Sequence, residues 1–178
     1  MLDANVIHAL AVCDTICLLR ERDVFALRWS DEIMREADRS LLRRGKDASR
    51  RLADMQAAFE DADVSGYESL IPALRCDEGD RHVLAAAIVG EAEQIVTFNV
   101  RHFPPESVQP FAIEVVTPDE LLLNALEHYP RETLAAIRQQ ARDARKPPLK
   151  IADVLRALRK DRVTAFADAI EPLLTKTS

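Results

Sequence analysis

Cysteine is scarce in this sequence: three residues in 178, an odd number and too few for a disulfide framework. That scarcity fits a reducing compartment, so a cytoplasmic protein is expected. Long apolar runs are missing as well. None approaches the roughly 18 residues that a membrane-spanning helix needs, so no membrane partner is expected. The opening stretch MLDANVIHAL has an acid at position 3 and no basic segment, and it does not read as a signal peptide. Excess positive charge is absent too: 24 Lys and Arg stand against 30 Asp and Glu, a net charge of −6. A protein that coats nucleic acid nonspecifically would be basic. The balance instead suits a carboxylate-rich site, with any nucleic-acid affinity confined to a local basic patch. Internal repeats and low-complexity tracts are lacking. No Ser or Cys stands beside a plausible His base, which argues against covalent nucleophilic catalysis.

Apolar residues make up 48% of the chain, enough to build a core at this length. The hydrophobic pattern predicts a short first strand over 2–7 and a helix over 9–22. A second strand is expected over Val24–Trp29. Ser30 is positioned to cap the next helix, with Asp31 and Glu32 in its first turn, where the helix dipole favours acids. Helices are then expected over Asp47–Ala62, Tyr67–Leu74 and Asp80–Glu91, and strands over Gln94–Phe98 and Ala112–Val116. Strands alternating with helices imply a parallel sheet flanked by helices. From Pro118 onward only helical patterns remain, over 118–128, 130–145, 151–159 and 161–174, punctuated by Pro130, Pro147 and Pro148. The expected organisation is an α/β domain over 1–117 and an all-α extension over 118–178.

Ligands of open parallel sheets sit beyond the carboxyl ends of the strands. Asp3 and Asn5 fall at the end of the first expected strand, and Asn99 follows the strand at Gln94–Phe98. Asp77 and Asp80 lie at the start of the 80–91 helix. Glu36 lies on the helix that Ser30 caps. On a wheel of about 100° per residue it is closer to the Ile33, Ala37 and Leu41 seam than Glu32, so Glu36 is the acid expected to reach the site. Oxygen-rich clusters of this kind suit hard divalent cations, and the cation offsets the mutual repulsion of the carboxylates.

The segments LDANV, SDEIMREADRSL, DEGDRHVLAAAI and IVTFNVRHFP, in this order, resemble the PIN-domain family, in particular its toxin-type (VapC-like) branch. The resemblance covers about residues 1–117. The tail, with KPPLKIADVLRAL, is similar to a helical extension found in a subset of such proteins. It implies a three-layer α/β/α fold with a central parallel sheet. It also implies a ribonuclease dependent on Mg²⁺ or Mn²⁺, an RNA substrate and a cognate antitoxin, and it is compatible with a homodimer. Residue by residue, Asp3, Glu36 and Asp80 match the family's three metal-binding acids, which double as its catalytic residues. Asn5 and Asp77 match accessory positions. Asn99 stands where many members carry a fourth acid, and His102, in RHF, stands where many carry Asp. The fourth carboxylate is therefore missing here. The chain also starts only two residues before Asp3, so either the first strand is short or the true start lies elsewhere.

Each residue also has a plainer reading. Asp3 could be an ordinary strand-end polar group, Asp80 a helix cap, Asp77 a turn residue, Glu36 a surface acid and His102 a solvated loop histidine. Cys13 and Cys17 lie on one helical face without a matching second pair, so small buried apolar residues are expected there rather than zinc ligands. His8 and His82 read as structural. The basic run with Arg39, Arg43, Arg44 and Lys46 is either a solvated face or a phosphate track leading to the acids. A second basic set comprises Arg138, Arg142, Arg145, Lys146 and Lys150. The favoured function is metal-dependent hydrolysis of RNA phosphodiesters. The rival is a PIN-fold scaffold or binding module that has lost part of its site.

Overall fold

The computed structural model describes residues 1–143 and 149–175. Arg145, Lys146, Pro147 and Pro148 lie outside the described residues. The helices are α1 (Ala4–Ile7), α2 (Leu10–Arg20), α3 (Asp31–Arg43), α4 (Ser49–Ala58), α5 (Arg81–Val89) and α6 (Pro105–Val108). They are followed by α7 (Pro118–His128), α8 (Pro130–Asp143), α9 (Ile151–Lys160) and α10 (Thr164–Thr175). The regular strands are β1 (Gln94–Val96) and β2 (Glu114–Val116), paired in parallel with Ile95 opposite Val115. Among the described residues no helix is long and apolar enough to cross a membrane. The chain divides into two compact units, Met1–His8 with Leu27–Thr117, and Ala9–Ala26 with Pro118–Ser178.

In the first unit the two strands expected before residue 30 are not regular strands. Leu2 forms a single parallel bridge to Val96, and Ala4–Ile7 is already helical. The apolar run 2–7 is too short for period alone to separate strand from helix, and Asp3 decides it. Its extended backbone and side chain cap the turn by accepting from Asn5 N–H. Likewise, Trp29 alone of 24–29 forms a bridge, to Asp63. Hydrogen bonds nevertheless link these segments edge to edge. Val64 N–H donates to Trp29, Leu2 N–H to Arg28, Asp3 N–H to Val96 and Thr97 N–H to Val116. The α/β class stands, with a regular sheet of two strands among the described residues.

The helix expected after Ser30 forms as the sequence indicates. Ser30 Oγ accepts from Ile33 N–H, and Ile33, Met34, Ala37 and Leu41 are buried along one seam. Asp47–Ala62 shortens to α4 plus a 3₁₀ turn at Glu60–Ala62, and Tyr67–Leu74 becomes a 3₁₀ segment at Glu68–Ala73, where Pro72 removes an amide donor. Fully buried Trp29 meets Phe59 edge to face, with ring centroids 6.2 Å apart.

The second unit is helical. Leu122, Ile137, Leu158, Phe166 and Ile170 are fully buried in it. Thr15 of α2 donates to Gln140 of α8 at 2.7 Å, and Asp119 accepts from the amides of Ala165 and Phe166 at the start of α10.

At the end of α5, a methyl group on Gly90 would lie 2.7 Å from a Val64 methyl and 3.0 Å from the Ala86 carbonyl oxygen. Gly90→Ala is expected to destabilise the protein by about 1–3 kcal/mol, as overpacking does. Chemical denaturation of the variant checks this, and unchanged stability would mean that Val64 moves aside freely.

Candidate functional site

The sequence brings Asp3 to the end of the Leu2 bridge and immediately caps α1 with it. Asp3 is 2% exposed. A carboxylate so deeply placed needs donors, and two side chains supply them. Thr97 Oγ1 donates to Asp3 Oδ2 at 2.6 Å, and Asn5 Nδ2 donates to the same oxygen. Thr97 Oγ1 in turn accepts from Asn5 Nδ2 at 2.9 Å and from Asn99 N–H at 3.0 Å. Asn5 Oδ1 accepts from Phe98 N–H at 3.0 Å. Asn99 thus joins this network through its backbone. Thr97 was not singled out in the sequence. The only signal for it was a hydroxyl at the end of an apolar strand, in IVTFN.

Burial pushes the Asp3 carboxyl upward, the Thr97 hydrogen bond opposes it, and the charges of Asp80 and Glu36 push further, to about 6. The three acids singled out in the sequence therefore share one electrostatic environment.

Asp80 stands at the N-cap of α5, yet its side chain makes no capping hydrogen bond. Instead Asp80 Oδ2 lies 2.6 Å from His102 Nδ1. The helix-cap reading of Asp80 and the solvated-loop reading of His102 therefore both give way. Asp77 accepts from Gly79 N–H at 3.1 Å, and one ligand atom from each of Asp77, Asp80 and His102 lies within 4.8 Å of the others. Cys76 sits beside them, and burial together with the Asp80 charge pushes its thiol up to about 11. Glu36, on α3, is half-exposed, and its Oε2 lies 3.5 Å from His82 Nε2. The His82 nitrogen is buried without a hydrogen-bond partner, so the histidine read as structural faces one of the acids. Glu32 is tied to Arg35 and Arg39 at 3.0 Å each, the solvated pairing expected of a helix-start acid.

Arg39 thus has an acidic partner, while Arg43, Arg44 and Lys46 are exposed. Burial first, then the Arg44 charge, lowers the His8 imidazole to about 4. Of the second basic set, Arg138 and Arg142 lie on α8 and Lys150 precedes α9.

Residues 118–172 match the VapC50 C-terminal domain family. The chain is 40% identical over 102 residues to "Putative ribonuclease VapC50" of Mycobacterium tuberculosis (strain ATCC 25618 / H37Rv). That match covers 57% of this chain and 60% of the relative, less than two thirds of its length. No solved structure matches.

The elevated Asp3 pKa has a stability consequence. Its folded pKa of about 6 lies above the ordinary 3.8, so the folded state is penalised once the group ionises. The penalty is absent below about pH 4 and complete above about pH 6, and stability is lost as pH rises between them. Asp3→Asn removes the titration, whatever constant offset the amide adds. Metal-free unfolding free energies of variant and wild type should diverge in favour of the variant by about 3 kcal/mol between pH 4 and 7.5. A pH-independent difference would show that Asp3 is not under charge stress.

Proposed function

We propose that this protein is a metal-dependent endoribonuclease, the toxin of a toxin–antitoxin pair. The single observation that carries the reading is the buried Asp3 carboxylate stressed by Asp80 and Glu36. The charges of Asp80, at the N-cap of α5, and of Glu36, on α3, both act on Asp3 at the N-cap of α1, with no cationic side chain among the groups that set the Asp3 pKa. Such a donor set fits Mg²⁺ or Mn²⁺, which prefer carboxylate oxygen and water. The likeness to VapC50 supports the same reading. In this reading residues 1–117 are a three-layer PIN-like nuclease domain and 118–178 an extension, of which 118–172 match the VapC50 C-terminal domain family, and the protein acts in the cytoplasm.

Asp3, Glu36 and Asp80 hold the cation. A bound divalent cation supplies Lewis-acid charge to the scissile phosphate and its attacking water. Thr97 and Asn5 fix the Asp3 carboxylate by donating to one of its oxygens, leaving Oδ1 with only a long contact to Asn5 N–H at 3.4 Å. Asn99 N–H closes that network from the far side. His82 faces Glu36, and His102 and Asp77 flank Asp80. Arg43, Arg44 and Lys46, with Arg39 once it leaves Glu32, bind the RNA backbone, and exposed guanidinium groups suit phosphate. A cognate antitoxin and a homodimer follow the family resemblance. The scaffold reading rests on the missing fourth carboxylate at Asn99 and His102.

An RNA digest with and without Mn²⁺ tests the enzyme reading. Wild type should cleave only with the metal, and Asp80→Ala should reduce cleavage by roughly 100-fold or more. Wild-type protein that binds Mn²⁺ and RNA without cleaving would favour the scaffold. Separately, replacing Arg43, Arg44 and Lys46 together by Ala should weaken single-stranded RNA binding. The slope of log affinity against log salt should fall in magnitude by about 2, from roughly 0.7 per lost phosphate contact. An unchanged slope would place the RNA path elsewhere.

A further inference from the structure

Asp80 is pulled away from the role its position offers. It occupies the N-cap of α5, where a carboxylate ordinarily accepts from the first-turn amides, and it makes no such bond. Its Oδ2 turns to His102 Nδ1. The three groups around this contact are also fixed by their backbones, independently of their side chains. Asp77 N–H donates to the His102 carbonyl at 3.0 Å, Asp80 N–H to the Asp77 carbonyl at 3.0 Å, and His102 N–H to the Asn99 carbonyl at 2.9 Å. The His102 side chain is about a quarter exposed and that of Asp80 less. Asp77, Asp80 and His102 are thus delivered to one spot by main-chain bonds, with ligand atoms within 4.8 Å of one another. Around one six-coordinate ion, adjacent ligand atoms are about 3 Å apart and opposite ones about 4.2 Å. The observed spacing needs only small side-chain adjustments to reach that arrangement.

The donor chemistry differs from that of the three acids. Mg²⁺ takes oxygen and holds its waters, whereas first-row transition ions accept imidazole nitrogen together with carboxylate oxygen. A neutral imidazole carries its hydrogen on either ring nitrogen, so Nδ1 becomes a ligand when the hydrogen sits on Nε2.

We propose that His102 is a metal ligand, joining Asp80 and Asp77 through Nδ1, and that this nitrogen makes the site select a first-row transition ion such as Mn²⁺ over Mg²⁺. The inference rests on the reading of Asp80 as a metal-holding acid and adds the ligand that sets which metal is held. In place of a missing fourth carboxylate, the chain has a nitrogen donor.

The test uses the full chain and Mn²⁺ or Mg²⁺ alone, without RNA. Electron spin-echo modulation on the Mn²⁺-loaded protein should show coupling to nitrogen-14. That coupling should vanish in His102→Ala and in His102→Asp, and persist in His82→Gln, the variant of the other nearby imidazole. By calorimetric titration, His102→Ala should lose on the order of tenfold in Mn²⁺ affinity, with a smaller change for Mg²⁺. His102→Asp should bring the two affinities closer together. Asp77→Asn, which keeps an oxygen to accept from Gly79 N–H, should also weaken Mn²⁺. Metal-free melting curves confirm that each variant is folded. Nitrogen coupling that survives His102→Ala overturns the inference. So does Mn²⁺ binding with no nitrogen coupling in the wild type, which leaves the three-acid reading intact. A wild type that binds no Mn²⁺ overturns both.

Discussion

An ionised carboxylate inside a protein has to be stabilised by donors or by an opposite charge, and Asp3 has the first without the second. Thr97 and Asn5 both donate to one of its oxygens, while Asp80 and Glu36 add negative potential. Much of the local architecture follows from satisfying this group. The Thr97 hydroxyl is satisfied in its turn by Asn5 and by the amide of Asn99, and Asn5 by the amide of Phe98. The end of β1 is thereby locked to the start of the chain through side chains, just where the main-chain pairing stops after Leu2 and Asp3. An isolated buried polar group would be costly; a closed network is not.

The acids are held by different means, which gives them different freedom. Asp3 is clamped. Asp80 is held by His102 Nδ1 at 2.6 Å, and Glu36 is half-exposed opposite His82. A site built this way combines one fixed point with two groups that can adjust. The imidazoles fall on the two adjustable acids, and the guanidinium groups lie further along α3 and beyond, where Arg39 is already engaged by Glu32. The cations that could neutralise the acids outright are thus kept out of the groups that perturb Asp3.

What could be read from the sequence depended on how local each determinant was. The Ser30 cap and the Ile33, Ala37 and Leu41 seam are written within one helix, and that helix formed as expected. The choice of Glu36 over Glu32 followed from the same wheel, and the Arg35 and Arg39 partners of Glu32 are equally local. The 118–128 helix was legible to the residue, bounded by prolines at either side. The first strands were not, because a single bridge per segment leaves no period to read, and a capping aspartate turns the chain into helix at Ala4. Thr97 and the Asp80–His102 contact are separated from their partners by 94 and 22 positions. No local pattern announces such pairs. His82 was assigned a structural role for the same reason, since its neighbour Glu36 lies on another helix.

The chain passes from the first compact unit to the second after His8, returns at Leu27, and leaves again after Thr117. Helix α2 is therefore synthesised early, while its partners α8 and α9 come from the last third of the sequence. Roughly 100 residues must be added between Arg20 and the start of α7, which at about 5–20 residues per second takes on the order of 10 s. During that interval Val12, Ile16 and Leu19, which end up fully buried, lack the two helices on which α2 packs. On the ribosome, α2 has to wait for helices made much later before it can pack.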